Sequence, residues 1–234
     1  MNIFECIFNR RSTRSFKSDP VDDKLIGVML YSATHAPSTG NMQDWHFLVV
    51  KEEEIKKRLA EASLRQGFIA DAPVVIVVCV DKEAASMRHG KRGETFYSIQ
   101  DTANATMIMM LAAHALGLKT CWVGSFDEDK IGHILELPNQ LRPVAIVPVG
   151  YSDETPKKPR RIPFEQLTSV NTYGKKYDIS YAVQPGDKGK EYKFKQIGNY
   201  LEDIFKKKLE KAGDKRPKEK KKLTFAAFLR RLSS

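Results

Sequence analysis

Pro73-Val74-Val75-Ile76-Val77-Val78-Cys79-Val80 is the stretch on which the fold of this chain turns. After the proline every side chain is apolar, and all but Cys79 are β-branched. Branching at Cβ stiffens χ1 and suits a pleated strand. The run lacks the apolar–polar alternation of a half-exposed strand, so it predicts a central strand covered on both faces. Such a strand needs neighbours at both edges and a layer on each side. Shorter apolar runs at Trp45–Val50, 121–123 and 144–149 read as further strands. Ile3–Asn9, 21–36, 51–63 and 97–116 read as helices. In the second, Leu25, Val28, Met29 and Ser32 recur at helical spacing behind an Asp19-Pro20 start signal. In the third, Ile55, Leu59 and Ala62 share a face. The fourth ends at Gly117. Helices and strands alternate without a regular βα repeat, which predicts an α+β sandwich of helices on a mixed sheet. The 97–116 helix is apolar around most of its circumference, and a helix of that kind is buried on every side. A subunit interface accounts for it in a domain of this size, so a dimer is expected.

The chain has 234 residues and a formal charge of +10. From Gly186 onward lie 16 basic and 7 acidic residues, leaving 23 and 22 before it. The charge therefore belongs to the tail, and residues 1–185 and 186–234 read as a domain and an extension. No apolar run approaches the ~18 residues that a membrane-spanning helix needs. No secretory leader is visible, and Cys6, Cys79 and Cys121 sit singly in apolar stretches, so a cytoplasmic protein with reduced thiols is expected. The five histidines lack metal-ligand spacing.

Arg10-Arg11-Ser12-Thr13-Arg14-Ser15-Phe16 places three guanidinium groups and three hydroxyls within seven residues. Guanidinium forks and short hydroxyl donors suit a phosphate monoester, although arginine runs are usually a solvated face. A nucleophile elbow, a zinc-protease helix, a phosphate-binding loop and a dinucleotide glycine fingerprint are all missing. A bound organic cofactor would fill that gap.

Several segments then resemble one family in order and spacing over about residues 2–170. The 10–16 run is similar to the opening motif of the flavin-dependent nitroreductase family, and Pro37-Ser38-Thr39-Gly40-Asn41-Met42-Gln43-Asp44-Trp45 to its Pro-Ser-x-x-Asn-x-Gln-Pro-Trp segment. Gln100-Asp101, the run Gly117 to Gly124, and Lys158-Pro159-Arg160-Arg161-Ile162-Pro163 resemble it as well. The resemblance implies a three-layer sandwich around a mixed, mostly antiparallel sheet, and a homodimer with FMN at the subunit interface. It gives the FMN phosphate to Arg10, Ser12, Arg14 and Arg160, with Lys158, Arg161 and the adjacent Arg11 as further candidates. It sets Pro37, Ser38, Asn41 and Gln43 of the other subunit along the isoalloxazine. It puts the backbone of Val123, Gly124 and Ser125 near flavin N5, with no catalytic side chain. The implied reaction is ping-pong transfer of hydride from NADH or NADPH to a nitroaromatic, quinone or similar acceptor. Flavin-fragmenting enzymes and reductive dehalogenases share the fold and stand as alternatives.

Two departures from the family pattern stand out. Asp44 occupies a position where the family usually has proline, and Arg65 and Gln66 are the nearest candidates for polar residues that some relatives carry before Pro73. The segment 87–96, with Arg88, Lys91 and Arg92, reads either as a cationic substrate mouth or as a mobile solvated loop. Beyond about residue 185 the resemblance ends. Ile197, Tyr200, Leu201, Ile204, Phe205 and Leu209 form one apolar stripe, and Phe225, Phe228, Leu229 and Leu232 a second beside Arg230 and Arg231. Basic amphipathic segments of this kind pack on their own domain, lie on anionic membranes or dock a protein partner. A flavin-fold module docked through that tail is the alternative to an enzyme. Nucleic acid is disfavoured because the tail has no recognition motif.

Overall fold

Val74 through Val80 are all buried, at 2% exposure or less, and this strand forms the middle of the molecule's larger unit. The structure is a computed structural model and describes residues 3–177. It divides into two units, one ending at Lys158 and the other beginning at Pro159. In chain order the first contains α1 (Ile3–Asn9), α2 (Asp23–Ala33), β1 (Trp45–Val50), α3 (Glu53–Ala62), α4 (Phe68–Asp71) and β2 (Val74–Asp81). There follow α5 (Lys82–Arg92), a π-helical turn at Gly93–Tyr97, α6 (Ser98–Ala115), β3 (Lys119–Thr120), α7 (Glu128–Ile134) and β4 (Leu141–Gly150). Within its described residues the second unit has a 3-10 turn at Phe164–Gln166 and an antiparallel bridge from Ser169 to Lys176. The expected boundary at residues 185 and 186, and the amphipathic tail, lie outside the described residues.

The sheet order is β1-β2-β4-β3, and all three pairings are antiparallel. The parallel component is a single bridge that joins Ser12 to Thr120. Side chains alternate across β2. Val74, Ile76 and Val78 join Met29, Ala33, Met109 and Ala113 in a core with α2 and α6. Val75, Val77 and Cys79 join Leu59, Ile69 and Ile131 in a second core with α3, α4 and α7. The uniform apolar run of β2 thus has its cause: a helical layer on each face. The β2–β4 register slips between Val78 and Cys79, leaving Val144 unpaired beside Pro143. A proline fits there because the ladder is already interrupted.

Several expectations are corrected in detail. α2 begins at Asp23, and its cap is Asp22, whose carboxylate accepts the Lys24 N–H at 2.8 Å, so the Asp19-Pro20 signal lies too early. Its buried residues are Ile26, Met29 and Ala33, while Val28 is exposed. β3 lies at Lys119–Thr120, two residues before the expected 121–123, and Val123 keeps one bridge to Ile146. Within one chain α6 is covered only in part, with Met107 40% exposed and Ala103, Ile108, Leu111 and Ala112 half-buried, and the rest is what the expected dimer would cover. Its stop is as expected. Gly117, at φ +83°, follows the cap, with Leu118 N–H on Ala113 O and Gly117 N–H on His114 O. That pairing satisfies the last carbonyls and demands a left-handed residue, which favours glycine.

Met109, wholly buried between α2 and the sheet, is expected to be worth about 2–5 kcal/mol on truncation to alanine. Urea denaturation of Met109→Ala checks this, and a loss below about 1 kcal/mol would contradict its central placement.

Candidate functional site

The 10–14 segment is extended beside β3, held by the Ser12–Thr120 bridge and by Thr13 N–H donating to Thr120 O at 3.1 Å. In an extended chain alternate side chains face opposite ways. Arg10, Ser12 and Arg14 share one side. All three act on the buried Cys121 thiol, Ser12 through a hydrogen bond and the arginines through their charge. Burial still pushes that thiol above its ordinary value. Arg14 also lies over the Phe68 ring at 5.9 Å, and its N–H donates to Glu154 at 2.9 Å.

Arg11 lies on the other side. Its guanidinium donates to Phe8 O and Arg10 O, and it lines a cleft of about 240 Å³ with Asn9, Thr13, Lys119, Glu154 and Lys158. The structure therefore groups Lys158 with Arg11. Burial, then the charges of Lys119, Arg10 and Arg11, hold His114 below its ordinary value. Arg160 and Arg161 are exposed residues of the second unit.

The 37–43 turn carries backbone strain. Gly40 (φ +59°), Asn41 (φ +58°) and Gln43 (φ +51°) are all left-handed. Such backbone costs about 1–2 kcal/mol at a non-glycine residue and persists only where surrounding contacts enforce it. Here those contacts are plain. Ser38 Oγ accepts the Gln43 N–H at 3.0 Å, and Gln43 Nε2 donates to Asn41 Oδ1 at 3.3 Å. From α6, Asp101 accepts both the N–H and the hydroxyl of Thr39, at 2.9 and 3.2 Å, while Asn104 donates to Pro37 O at 3.4 Å. From α5, Arg88 donates to Gly40 O at 2.9 Å. The turn is thus tied to two helices that the sequence places 48 and 62 residues away.

Asp44, which follows this turn, is 3% exposed, and its Oδ1 has no hydrogen-bond partner among the described residues. Burial, then the nearby charge of Asp101, raises its carboxyl to about 6, with Asp81 adding to the rise and a bond from its own backbone opposing it. Segment 87–96 is helical, not a loop: it closes α5 and enters the π turn. Arg92 bonds the Tyr97 hydroxyl at 2.9 Å and stacks over the Phe96 and Tyr97 rings. Val123 is buried and precedes the exposed Gly124 and Ser125. Gln66 Nε2 reaches Ser125 O at 3.5 Å, whereas Arg65 is exposed. Sequence reasoning placed Arg88 at a cationic substrate mouth or in a solvated loop, not on this turn, and assigned no role to Thr39, Asp101 or Asn104. The signal available was an aspartate in the first turn of a helix with no other charged carboxylate or ammonium group.

The nitroreductase family model matches residues 7–70 and 61–151, which spans all of these segments up to β4. The chain belongs to the nitroreductase family. It is an oxidoreductase by that membership. An NADH dehydrogenase of Thermus thermophilus is 30% identical over 185 residues, covering 68% of this chain and 90% of that one. A crystal structure of a nitroreductase family protein from Clostridium difficile 630 is 33% identical, with a TM-score of 0.65, over 74% of this chain and 99% of that one. A structure titled FMN-dependent nitroreductase, from Clostridium difficile R20291, is 28% identical with a TM-score of 0.58, over 66% and 90%. Among the described residues no helix is long and apolar enough to cross a membrane.

A methyl group at Gly40 would lie 3.0 Å from Arg88 Nη1 and would fix a left-handed φ. Gly40→Ala is expected to lower stability by about 1–2 kcal/mol through its backbone, and further through the clash with Arg88. In an Arg88→Ala background only the backbone part of that loss should remain. Thermal or urea melts of the two single variants and the double variant measure the difference.

Proposed function

We propose that this chain is an FMN-dependent NAD(P)H oxidoreductase reducing an electron-poor acceptor such as a nitroaromatic or quinone. The observation that carries the reading is the alternation of the 10–14 segment, which gathers Arg10, Ser12 and Arg14 on one side beside Cys121. Two guanidinium groups and a hydroxyl suit the charge and the acceptor oxygens of a phosphate monoester, so this donor set fits FMN. Lys158, Arg160 and Arg161 are assigned to the same phosphate by the sequence resemblance alone. Pro37, Ser38, Asn41 and Gln43 edge the ring system from a strained but well-anchored turn, which suits precise placement. The backbone of Val123, Gly124 and Ser125 offers N–H groups at the N5 edge, and glycine permits close approach. When bound, FMN supplies two-electron chemistry, taking a hydride from NADH or NADPH and passing it to the acceptor. The side chains named here hold, orient and screen.

The names of the relatives support cofactor and donor: one is an NADH dehydrogenase, another an FMN-dependent nitroreductase. A homodimer is part of the proposal. Ile3, Ile7 and Phe8 of α1 and Met107 of α6 are exposed apolar side chains, and α1 lies on α6 through Cys6 and the Leu111 carbonyl. Residues 1–185 carry the reaction in this reading, in the cytoplasm, and 186–234 are an extension to that domain.

The test is the absorbance spectrum of the purified protein, followed by anaerobic NADH or NADPH and then a nitroaromatic or quinone. A flavin spectrum that bleaches with the nicotinamide and returns with the acceptor is the expected result. A colourless protein that takes up no FMN would overturn the proposal.

A further inference from the structure

Asp44 and Asp101 are both 3% exposed, and the charge of Asp101 reaches Asp44 at the end of the 37–43 turn. Their situations differ. Asp101 is fully employed, holding Thr39 by two hydrogen bonds, whereas Asp44 has a buried oxygen with no partner among the described residues. The main chain of Asp44 is fixed, because its carbonyl accepts the Asp81 N–H at 2.8 Å. The charges that act on Asp44 are both acidic: Asp101 from α6 and Asp81 from the end of β2. Arg88 and His89 of α5 face the turn at Gly40.

We propose that Asp44 is a positioning residue whose charge state governs the hold of Asp101 on Thr39, and through it the order of the 37–43 turn. While Asp44 is neutral, Asp101 keeps Thr39. When Asp44 is charged, two buried carboxylates repel at low dielectric. The relief is for one to move toward water. Asp101 can move only by releasing Thr39. Because the folded carboxyl titrates above its ordinary 3.8, the favourable state is complete below that value and is lost as pH rises through about 6. The consequence for the reaction rests on the flavin reading of the turn: flavin is held less firmly at higher pH.

The experiment uses the full chain and Asp44→Asn, which keeps the shape and removes the charge. Amide exchange at Thr39, divided by the chemical exchange rate, is followed from pH 5 to 8, with the β2 core amides as the control. Protection in the wild type should fall about tenfold, against a ceiling of about a hundredfold set by a rise from 3.8 to about 6. In Asp44→Asn it should stay flat. A fall of equal size in Asp44→Asn overturns the proposal and assigns the response elsewhere. A flat wild type overturns it as well. Should Asp44→Asn not fold, Asp44→Ser carries the same prediction. The FMN dissociation constant is then compared as a ratio of wild type to variant at each pH, because the phosphate itself titrates near pH 6. That ratio should grow with pH, and a constant ratio in proteins that bind FMN would overturn the consequence for flavin. Absence of FMN uptake at every pH would sink the flavin reading, and exchange at Thr39 would still decide the role of Asp44.

Discussion

Two strands must pair with β2 because no water reaches it. Val75 through Val80 are wholly buried, so each backbone N–H and C=O there needs a partner in β1 or β4. That requirement sets the sheet order. The two apolar faces of β2 then call for α2 and α6 on one side and α3, α4 and α7 on the other. Placing α6 fixes Asp101 and Asn104, and the end of β2 launches α5 with Arg88. The candidate site is assembled on the ends of elements that the central strand has already located.

The layered fold was legible because its signals are local. A continuous β-branched run, a long apolar helix and a glycine stop are each read within one segment. The errors also follow from locality. Val28 fits a helical face by spacing, yet the core lies against Ile26, Met29 and Ala33, and only tertiary packing makes that choice. The run 121–123 has strand composition, but β4 pairs with Lys119 and Thr120. The 87–96 segment is rich in charge and glycine, as loops are. Its helix survives a break at Gly90 (φ +54°) because Gly93 allows the π turn to pack against the Ala85 carbonyl.

For the site, sequence supplied residue types and the structure supplied sides. Arg10, Arg11, Ser12 and Arg14 read as one basic cluster, but an extended backbone splits it, sending Arg11 to the cleft of Lys119 and Lys158. The turn at 37–43 was recognisable by its asparagine and glycine. Its cost, left-handed backbone at Asn41 and Gln43, and its anchors on Asp101, Asn104 and Arg88 were not. These are contacts between side chain and backbone across long sequence separations, and no periodicity reports them.

The central claim is that one side of the 10–14 segment holds a phosphate. It is tested most directly by titrating FMN and riboflavin, which differ by that phosphate alone, into the wild type, Arg14→Ala and Arg11→Ala. The account predicts that the wild type prefers FMN, and that Arg14→Ala loses roughly 10- to 100-fold of that preference, the weight of a charge-assisted hydrogen bond. Arg11→Ala should keep most of it. Equal loss in both variants, or no preference for FMN in the wild type, would contradict the account.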